Sequence, residues 1–245
     1  MPRFFVDPAA ICDGEITVSG DDARHIARSL RMAVGDEVTV CDGGGTEYLC
    51  RLSKIRDEEC TADIISSEKS RAEAAHRITL YMAYPKGDKL ETVVQKSVEL
   101  GAHRIVPFES ERCIKRPTPE KAEKQTARLQ RIADEAAKQC GRAILPEVSN
   151  PLSYSEMIKH AAESELAIFC YEGEGALSLK KILEGHASAP SSISVVVGSE
   201  GGFSEAEAAE AERAGMIIAN LGPRILRCET APSYCLSAIS YRFEL

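Results

Sequence analysis

The sequence predicts an α/β protein that begins with a smaller, mostly β domain. Up to about residue 70 the chain carries short alternating or β-branched runs between Gly and Asp clusters, from "EITVSG" to "ECTADIISS". Such runs are typical of strands joined by tight turns. Strands then alternate with helices, which indicates a mostly parallel sheet. The charged stretch "SEKSRAEAAHR" separates the two patterns, so we predict domains 1–72 and 73–245.

The first domain is predicted to be a small β-barrel or sandwich with one helix. "DEVTVCDGGGTEYLCRLSKI" indicates two strands joined by a hairpin turn at "DGGG". In "DDARHIARSLRM", Arg24, Arg28 and Arg31 share one side of a helix, and Ile26 and Leu30 share another. The arginine side is either a solvated face or a row of guanidinium groups that faces phosphates.

The second domain is predicted from its alternating pattern. The candidate strands are "ITLYMAY", "RIVPF", "LAIFCY", "ISVVV" and "MIIANL". Helices are expected in "KGDKLETVVQKSVELG" and over 119–140, 154–162 and 205–214. Capping boxes at Ser153 with Glu156 and at Ser204 with Glu207 predict where two of these helices begin.

Composition restricts the class of protein. The chain has 245 residues, 44% hydrophobic and 28% charged, with a formal net charge of −8. No apolar run approaches the ~20 residues that a membrane-spanning helix needs, and the acidic start "MPRFFVDPAAICDGE" does not resemble a signal peptide. Nine cysteines without metal-ligand spacing indicate reduced thiols. We therefore expect a cytoplasmic protein with no membrane partner and no metal.

The charge is unevenly distributed along the chain. Residues 112–142 carry nine basic and four acidic side chains, whereas residues 147–212 carry three basic and twelve acidic ones. Net acidity argues against general coating of nucleic acid, but a local basic face remains compatible with it.

A glycine-rich turn follows the strand in "VVVGSEGGFSEAE", residues 195–207. The carboxyl end of a buried strand is where α/β domains bind ligands. The turn matches neither G-x-x-x-x-G-K-[ST] nor G-x-G-x-x-G, and Glu200 would repel a pyrophosphate. We expect a neutral or cationic ligand that the bare backbone grips directly. Taken alone, the turn could also be purely structural.

A second glycine-bearing loop follows the next strand, in "LGPRILRCETAPSYCLSAI". The order "KGDK…QKSVELGA…GSEGGF…LGPRILRCETA", with "RFFVDP" and "RHIARSLRMAVGDEVTVCDGGGTEY" before it, resembles the RsmE family of the SPOUT methyltransferase class over essentially the whole chain. Members are 16S ribosomal RNA uracil-N3 methyltransferases. The chain departs from the family at Ser199 (usually Pro), Cys228 (usually Thr) and Arg24 (often His or Tyr), none of which we assign to catalysis.

The resemblance implies a PUA-like RNA-binding domain followed by a methyltransferase domain with a deep trefoil knot, in which S-adenosylmethionine (SAM) lies among the knotted loops. By matched position, the cofactor-binding residues would be Tyr171, Glu172, Gly173, Gly198, Ser199, Glu200, Gly201, Gly202, Leu221, Gly222, Ile225, Leu226, Arg227, Thr230 and Ala231. A sulfonium cation tolerates a neighbouring carboxylate, which accounts for Glu200.

Methylation at N3 requires loss of a weakly acidic imide proton. Arginine stays protonated, so Arg227 is the candidate for stabilising the developing charge at O2 or O4. Glu200 or Glu229 would accept the proton or orient a reacting group. Structural alternatives remain, because Glu229 could stabilise a helix N-terminus and Arg227 could form an ion pair in a dimer.

The resemblance also implies partners, namely 16S ribosomal RNA in the small subunit and a second copy of the chain. The target base must leave its stack before N3 meets the methyl donor. The candidate RNA-binding residues are Arg3, Arg24, Arg28, Arg31, Lys86, Arg112, Lys121, Lys124, Arg128 and Arg131. A merely solvated face is the alternative for the stripe from Lys121 to Arg131.

The apolar terminal stretch "APSYCLSAISYRFEL" and the helix over 86–100 are the predicted dimer interface. The alternative is a terminal helix that packs only on its own domain. Three other functions remain open: an RNA-binding protein of this fold without turnover, a methyltransferase of this class with another RNA target, and an unrelated α/β enzyme that uses a nucleotide.

Overall fold

The structure is a computed structural model that describes residues 1–114 and 116–245. The chain divides into two compact units. The first unit is Met1–Glu73 with Ala137–Leu145, and the second is Ala74–Ala136 with Pro146–Leu245. Within the described ranges, no helix combines the length and the apolar character that crossing a bilayer requires.

The first unit contains one curled sheet of six strands, and its order is β1-β4-β5-β6-β3-β2. The strands are β1 (Arg3–Phe5), β2 (Ile11–Cys12), β3 (Glu15–Ser19), β4 (Glu37–Cys41), β5 (Thr46–Ile55) and β6 (Glu59–Lys69). The pairing of β1 with β4 is parallel and the other pairings are antiparallel. Register shifts between β5 and β6 mark irregularities that bend the sheet. The predicted barrel or sandwich is thus a single curled sheet.

The helix of the first unit is shorter than predicted. Helix α1 (Gly20–Arg24) passes into a π-helical turn (His25–Ser29), and the chain leaves it at Arg31, whose φ is 51°. Ile26 is fully buried in the core with Phe4, Ile16 and Leu52, whereas Leu30 is 40% exposed. The prediction that Ile26 and Leu30 share a buried side is therefore confirmed for Ile26 and wrong for Leu30, because the wider π-helical turn lies between them.

Residues 137–145 complete the first unit through a buried ion pair. The Arg142 side chain is 3% exposed and its Nη2 donates to Glu73 Oε2 at 2.9 Å. Glu73 Oε1 accepts hydrogen bonds from the backbone N–H groups of Ala143 and Ile144, each at 2.9 Å. One carboxylate therefore fixes this segment by its side chain and by its backbone.

The second unit contains a parallel sheet with the order β10-β8-β7-β13-β11-β14-β12, and β9 pairs with β8. Its strands are β7 (Arg77–Ala83), β8 (Arg104–Glu109), β9 (Glu147–Val148), β10 (Leu152–Ser153), β11 (Leu166–Cys170), β12 (Leu177–Ser178), β13 (Ser192–Val197) and β14 (Ile217–Asn220). Continuous burial along β13 is typical of a parallel strand covered on both faces. The predicted α/β class is confirmed.

The helices are α2 (Lys89–Glu99), α3 (Pro119–Cys140), α4 (Tyr154–Ala162), α5 (Leu179–Glu184), α6 (Glu205–Arg213) and α7 (Thr230–Phe243). From Ala137 onward α3 is grouped with the first unit. Both predicted capping boxes are confirmed, at Ser153 with Glu156 and at Ser204 with Glu207. The sequence did not predict α5, whose six residues are too few for a clear helical period.

Candidate functional site

A cavity of about 570 Å³ lies at the carboxyl ends of β11, β13 and β14. Parallel strands bring these ends to one edge of the sheet, where the segments that follow them meet. All the residues around the cavity belong to the second unit. Those that line it are Lys89, Arg112, Cys170, Tyr171, Glu172, Val197, Gly198, Ser199, Glu200, Gly201, Gly202, Phe203, Ala219, Leu221, Ile225, Leu226, Arg227, Cys228 and Ala231.

One wall is the loop of residues 198–202, hereafter the first glycine loop. Gly202 has a φ of +62°, and its N–H donates to the Ser199 carbonyl at 2.9 Å to close the turn. A Cβ on Gly201 would lie 2.9 Å from Arg112 Cβ, and one on Gly198 would lie 3.1 Å from Gly202 Cα. Packing therefore requires glycine at Gly201 and leaves little room for a side chain at Gly198, beyond any need of a ligand.

Arg112 covers this loop from the segment after β8. Its Nη1 donates to the Gly201 carbonyl at 3.0 Å. The neighbouring Glu111 N–H donates to Glu207 Oε1 at 2.8 Å, while Glu207 Oε2 accepts from Ser204 N at 2.8 Å. The buried Glu207 therefore joins the start of α6 to the segment that carries Arg112.

The second wall is the loop of residues 221–227, hereafter the second glycine loop. Gly222 has a φ of +104°, a backbone conformation that favours glycine. Its N–H donates to Asn220 Oδ1 at 3.3 Å, and the Asn220 amide donates to the Ala176 carbonyl at 2.9 Å. Ile225 is 86% exposed at the rim of the cavity. The Arg227 carbonyl accepts from Thr230 and Ala231 as α7 begins.

A third wall follows β11 at Tyr171 and Glu172. The Tyr171 N–H donates to the Ala219 carbonyl at 2.9 Å, which fixes this segment beside β14. A Cβ on Gly173 would lie 2.3 Å from the Tyr171 ring, so the ring packs directly on that backbone. Gly173 supports the wall without lining the cavity.

Lys89 connects the first glycine loop to the residues that follow the second glycine loop. Its Nζ lies 2.9 Å from Glu200 Oε1 in the first loop and 3.2 Å from Glu229 Oε2 just before α7. Glu200 also accepts from the Lys86 backbone N–H, at 3.1 Å through Oε1 and 3.2 Å through Oε2. Both carboxylates are thus engaged by groups at the start of α2.

These contacts set the charge states of the cluster. Partial burial raises the pKa of Glu200, but hydrogen bonds from Lys89 and the Lys86 amide outweigh it and the pKa lies below its ordinary value. The pKa of Glu229 is also lowered, first by its own backbone N–H and then by Cys228 and Lys89. Hydrogen bonds to Glu200 and Glu229 raise the pKa of Lys89. Burial and Glu229 raise the pKa of the Cys228 thiol to about 12. The cluster is one cation with two anions.

Most of the predicted cofactor residues line the cavity; those that do not are Gly173, Gly222 and Thr230. Of the three predicted catalytic residues, Arg227 and Glu200 line it, while Glu229 reaches it through Lys89. Lys89 was not among the predicted site residues, although it lies in the motif "KGDK". Arg112 was predicted as an RNA contact, and Phe203 was not predicted to line the cavity. The Phe203 ring packs against that of Phe169, with the centroids 4.2 Å apart and the planes tilted by 36°.

The predicted RNA-binding residues already have partners in several cases. In the first unit, Arg3 pairs with Glu47 at 2.9 Å, Arg28 with Asp57 at 2.6 Å, and Arg24 with Asp21. In the second unit, Arg128 pairs with Glu91 at 2.9 Å. Arg3 is the least accessible, with its side chain 16% exposed, whereas that of Arg28 is 65% exposed. Arg31, Lys121, Lys124 and Arg131 lie on exposed positions.

Comparison with known proteins gives the family. A family model described as an RNA methyltransferase domain matches residues 72–240, and one described as an RNA methyltransferase PUA domain matches residues 18–65. Ribosomal RNA small subunit methyltransferase E from Bacillus subtilis is 34% identical over 251 residues, which cover 100% of this chain and 98% of the relative. The chain belongs to the ribosomal RNA small subunit methyltransferase E family. The resemblance seen in the sequence is confirmed.

Solved structures agree with this assignment. A ribosomal RNA small subunit methyltransferase E from Neisseria gonorrhoeae, bound to SAM, has a TM-score of 0.85 and 32% identity, with 99% of this chain and 98% of that one covered. A methyltransferase structure from Legionella pneumophila, with its bound cofactor SAM, has a TM-score of 0.85 and 28% identity, with 98% and 96% covered.

Proposed function

We propose that this protein transfers a methyl group from SAM to N3 of a uridine in the 16S ribosomal RNA of the small subunit. The observation that carries the proposal is the cavity between the two glycine loops, in a chain whose relatives of the same family are named for this RNA and include a SAM-bound structure. Bound SAM supplies the methyl group from its sulfonium sulfur.

The residues around the cavity fit SAM. The first glycine loop lines the cavity, and Leu221 and Leu226 offer apolar faces for adenine. The Ser199 hydroxyl is buried and has no hydrogen-bond partner among the described residues. Since buried hydroxyl groups are nearly always partnered, this one supports a role for the loop in holding a polar ligand.

Arg227 lines the cavity and keeps its positive charge at every physiological pH. In this proposal it stabilises the negative charge that develops on uracil O2 or O4 as N3 loses its proton. Glu200 and Glu229 orient neighbouring groups. A carboxylate whose pKa is lowered is a weak base for an imide proton, so the contacts to Lys89 favour orientation over proton acceptance.

RNA binding is assigned mainly to residues 1–72 and to the basic stripe of α3, with residues 73–245 binding the cofactor. Arg28 exchanges its partner Asp57 for an RNA phosphate, because an exposed ion pair contributes only about 0–1 kcal/mol. Arg31 supplies a second cation from the exposed turn after the π-helical segment. In the second unit, α3 carries a basic stripe of its own, formed by Lys121, Lys124, Arg128 and Arg131.

The active form is proposed to be a homodimer that contains a trefoil knot and acts in the cytoplasm, where ribosomal RNA is present. Dimerisation is supported by exposed apolar side chains near the cavity, on α7 and just after it, namely Ile225, Tyr234, Tyr241 and Leu245. The knot is supported by β14 pairing with β11 instead of β13, with the second glycine loop and α7 following it.

Two measurements test the function. Small subunits and naked 16S RNA from a strain that lacks this methyltransferase are incubated with the protein and SAM, and mass mapping locates the added methyl group. We expect one methyl on N3 of one uridine. Methylation at another position would mean that the enzyme has a different RNA target. RNA binding without methylation would mean that the protein binds RNA but has no methyltransferase activity.

The second measurement is calorimetric titration with SAM, ATP and NAD. Heat from SAM alone supports the proposal. Binding of ATP or NAD without SAM would instead indicate an unrelated nucleotide-using enzyme.

A further inference from the structure

Lys89, the first residue of α2, is the common partner of three acceptors around the cavity. Its Nζ lies 2.9 Å from Glu200 Oε1, 3.2 Å from Glu229 Oε2 and 3.9 Å from Cys228 Sγ. An ammonium group has three N–H donors. The two carboxylates are the close contacts of this ammonium, and the thiol sulfur is a weak third one, so its nearest partners are protein groups.

The three acceptors belong to two segments that are far apart in sequence. Glu200 lies in the first glycine loop, while Cys228 and Glu229 precede α7 and follow the second glycine loop. Both segments line the cavity. The position of Lys89 therefore determines how closely the two sides of the cavity approach at this end.

Charge makes this link specific. Glu200 and Glu229 both lie within reach of the same nitrogen, so without the ammonium they would face each other as like charges. Cys228 is a neutral thiol at physiological pH, because burial and Glu229 raise its pKa to about 12. The other charged groups that line the cavity are Arg112, Arg227 and Glu172. Of these, Arg112 donates to the Gly201 carbonyl.

We propose that Lys89 is a positioning residue for cofactor binding, which holds the first glycine loop and the start of α7 together by cancelling the repulsion between Glu200 and Glu229. The proposal rests on SAM binding in the cavity, which belongs to the proposed function. It assigns to the lysine an effect on SAM affinity through the two carboxylates, without contact to the reacting atoms.

The test is calorimetric titration of the full-length protein with SAM at about pH 8 and about pH 5.5, where a destabilised carboxylate takes up a proton. Lys89→Met should weaken SAM binding about tenfold at the higher pH, because two neighbouring carboxylates then lack the cation that lies between them. The deficit should shrink at the lower pH, since protonation removes the like-charge repulsion. If the Lys89 side chain acted only through packing of its aliphatic part, Lys89→Met would lose the same SAM affinity at both pH values.

A second substitution tests the charge argument directly. In Lys89→Met with Glu229→Gln, only one carboxylate remains, and SAM affinity should return to within about threefold of the wild type. The matched control is Lys180→Met on α5, which removes a lysine from an exposed pair with Glu184 and should leave SAM affinity unchanged. Thermal unfolding without SAM monitors the fold of each variant.

Wild-type affinity in Lys89→Met, or a deficit that neither pH nor Glu229→Gln reduces, would overturn the inference. If Lys89→Met alone does not fold, the double variant decides, because it lacks the proposed repulsion and must fold and bind SAM. Weaker RNA binding with unchanged SAM binding would assign Lys89 to RNA instead. Absence of SAM binding by the wild type would instead overturn the proposed function before any variant is compared.

Discussion

The two glycine loops face the same cavity but are held in different ways. The first loop is fixed by side chains of its own unit, since Gly201 packs against Arg112 and Glu200 binds Lys89 and the Lys86 amide. In the second loop, a Cβ on Gly222 would meet no atom within 4 Å, and Ile225 is 86% exposed. Glycine is therefore needed in the first loop because Gly201 is tightly packed, and in the second loop because of the backbone conformation of Gly222.

The difference separates two parts of a binding site. The first glycine loop is preformed, so substitutions there act by steric conflict. The second is shaped by backbone conformation at Gly222 and leaves apolar surface for something else to cover. A ligand or a second subunit would complete it, which is consistent with the proposed homodimer.

The largest expected effect is that of Gly201→Val. The new Cβ would lie 2.9 Å from Arg112 Cβ, an atom too close to the backbone to move aside. SAM affinity should fall by about a hundredfold or more, comparable to the 1–3 kcal/mol and above that overpacking costs. Calorimetry measures the affinity, with Gly44→Ala as control, because a Cβ there makes only ordinary contacts. Unchanged affinity would place the cofactor elsewhere.

Gly222→Val should have a smaller effect than Gly201→Val. Space is available for the side chain, so the cost comes only from forcing a β-branched residue toward a φ of +104°. Backbone strain of about 1–3 kcal/mol corresponds to roughly tenfold weaker SAM binding if the loop relaxes in the free protein. The same titration checks it. A loss as large as that of Gly201→Val would mean that both loops are sterically closed by the ligand.

Ile225→Ser tests what covers the second loop. Because the side chain is 86% exposed, the free energy of unfolding should change by less than about 0.5 kcal/mol. If the loop lies in the dimer interface, sedimentation equilibrium should show weaker self-association. Lys180→Met serves as the surface control. A wild-type monomer that is fully active would contradict the dimer altogether.

Replacing both Arg28 and Arg31 by Ala tests whether RNA is bound by residues outside the two glycine loops. The slope of log affinity against log salt should flatten by about 0.7–0.9 per lost phosphate contact. SAM affinity should not change. A slope identical to that of the wild type would mean that both arginines are solvent-exposed and do not contact RNA phosphates.

The smallest effect is the pH dependence of stability from the carboxylates of the site. The folded-state pKa values of Glu200 and Glu229 are lowered, so their stabilising contribution is complete above the ordinary Glu pKa. It is lost as pH falls through the folded-state values. Glu200→Gln should therefore lower stability by about 1 kcal/mol or less near pH 7 and by less in acid, as measured by urea unfolding.

Local patterns predicted much of the fold. The limits of α3 and α4, the capping boxes and the strands β7, β8, β11, β13 and β14 each follow from periodicity or from a few neighbouring residues. Elements of two or three residues, such as β9 and β12, carry no period and were missed. The π-helical turn at His25–Ser29 was missed because a one-residue widening leaves the sequence pattern nearly unchanged.

The candidate site was predicted less evenly. Both glycine loops could be located because bare backbone after a buried strand is visible in the sequence. Lys89 could not, since its partners lie more than a hundred residues away and an ion pair leaves no periodic signal. The pairing of Arg3 with Glu47 was hidden for the same reason, and an arginine near the start of a chain resembles any other exposed cation.

The buried pair of Arg142 and Glu73 has a consequence for synthesis on the ribosome. All six strands of the first unit have been synthesised once the ribosome has added Lys69, the last residue of β6. The segment that Glu73 binds is complete only when Leu145 has been added. At about 5–20 residues per second, translation takes several seconds to proceed from Glu73 to the end of that segment. During that interval Glu73 is without its partner, so a nascent chain has a time window in which chaperones or proteases meet an incomplete amino-terminal unit.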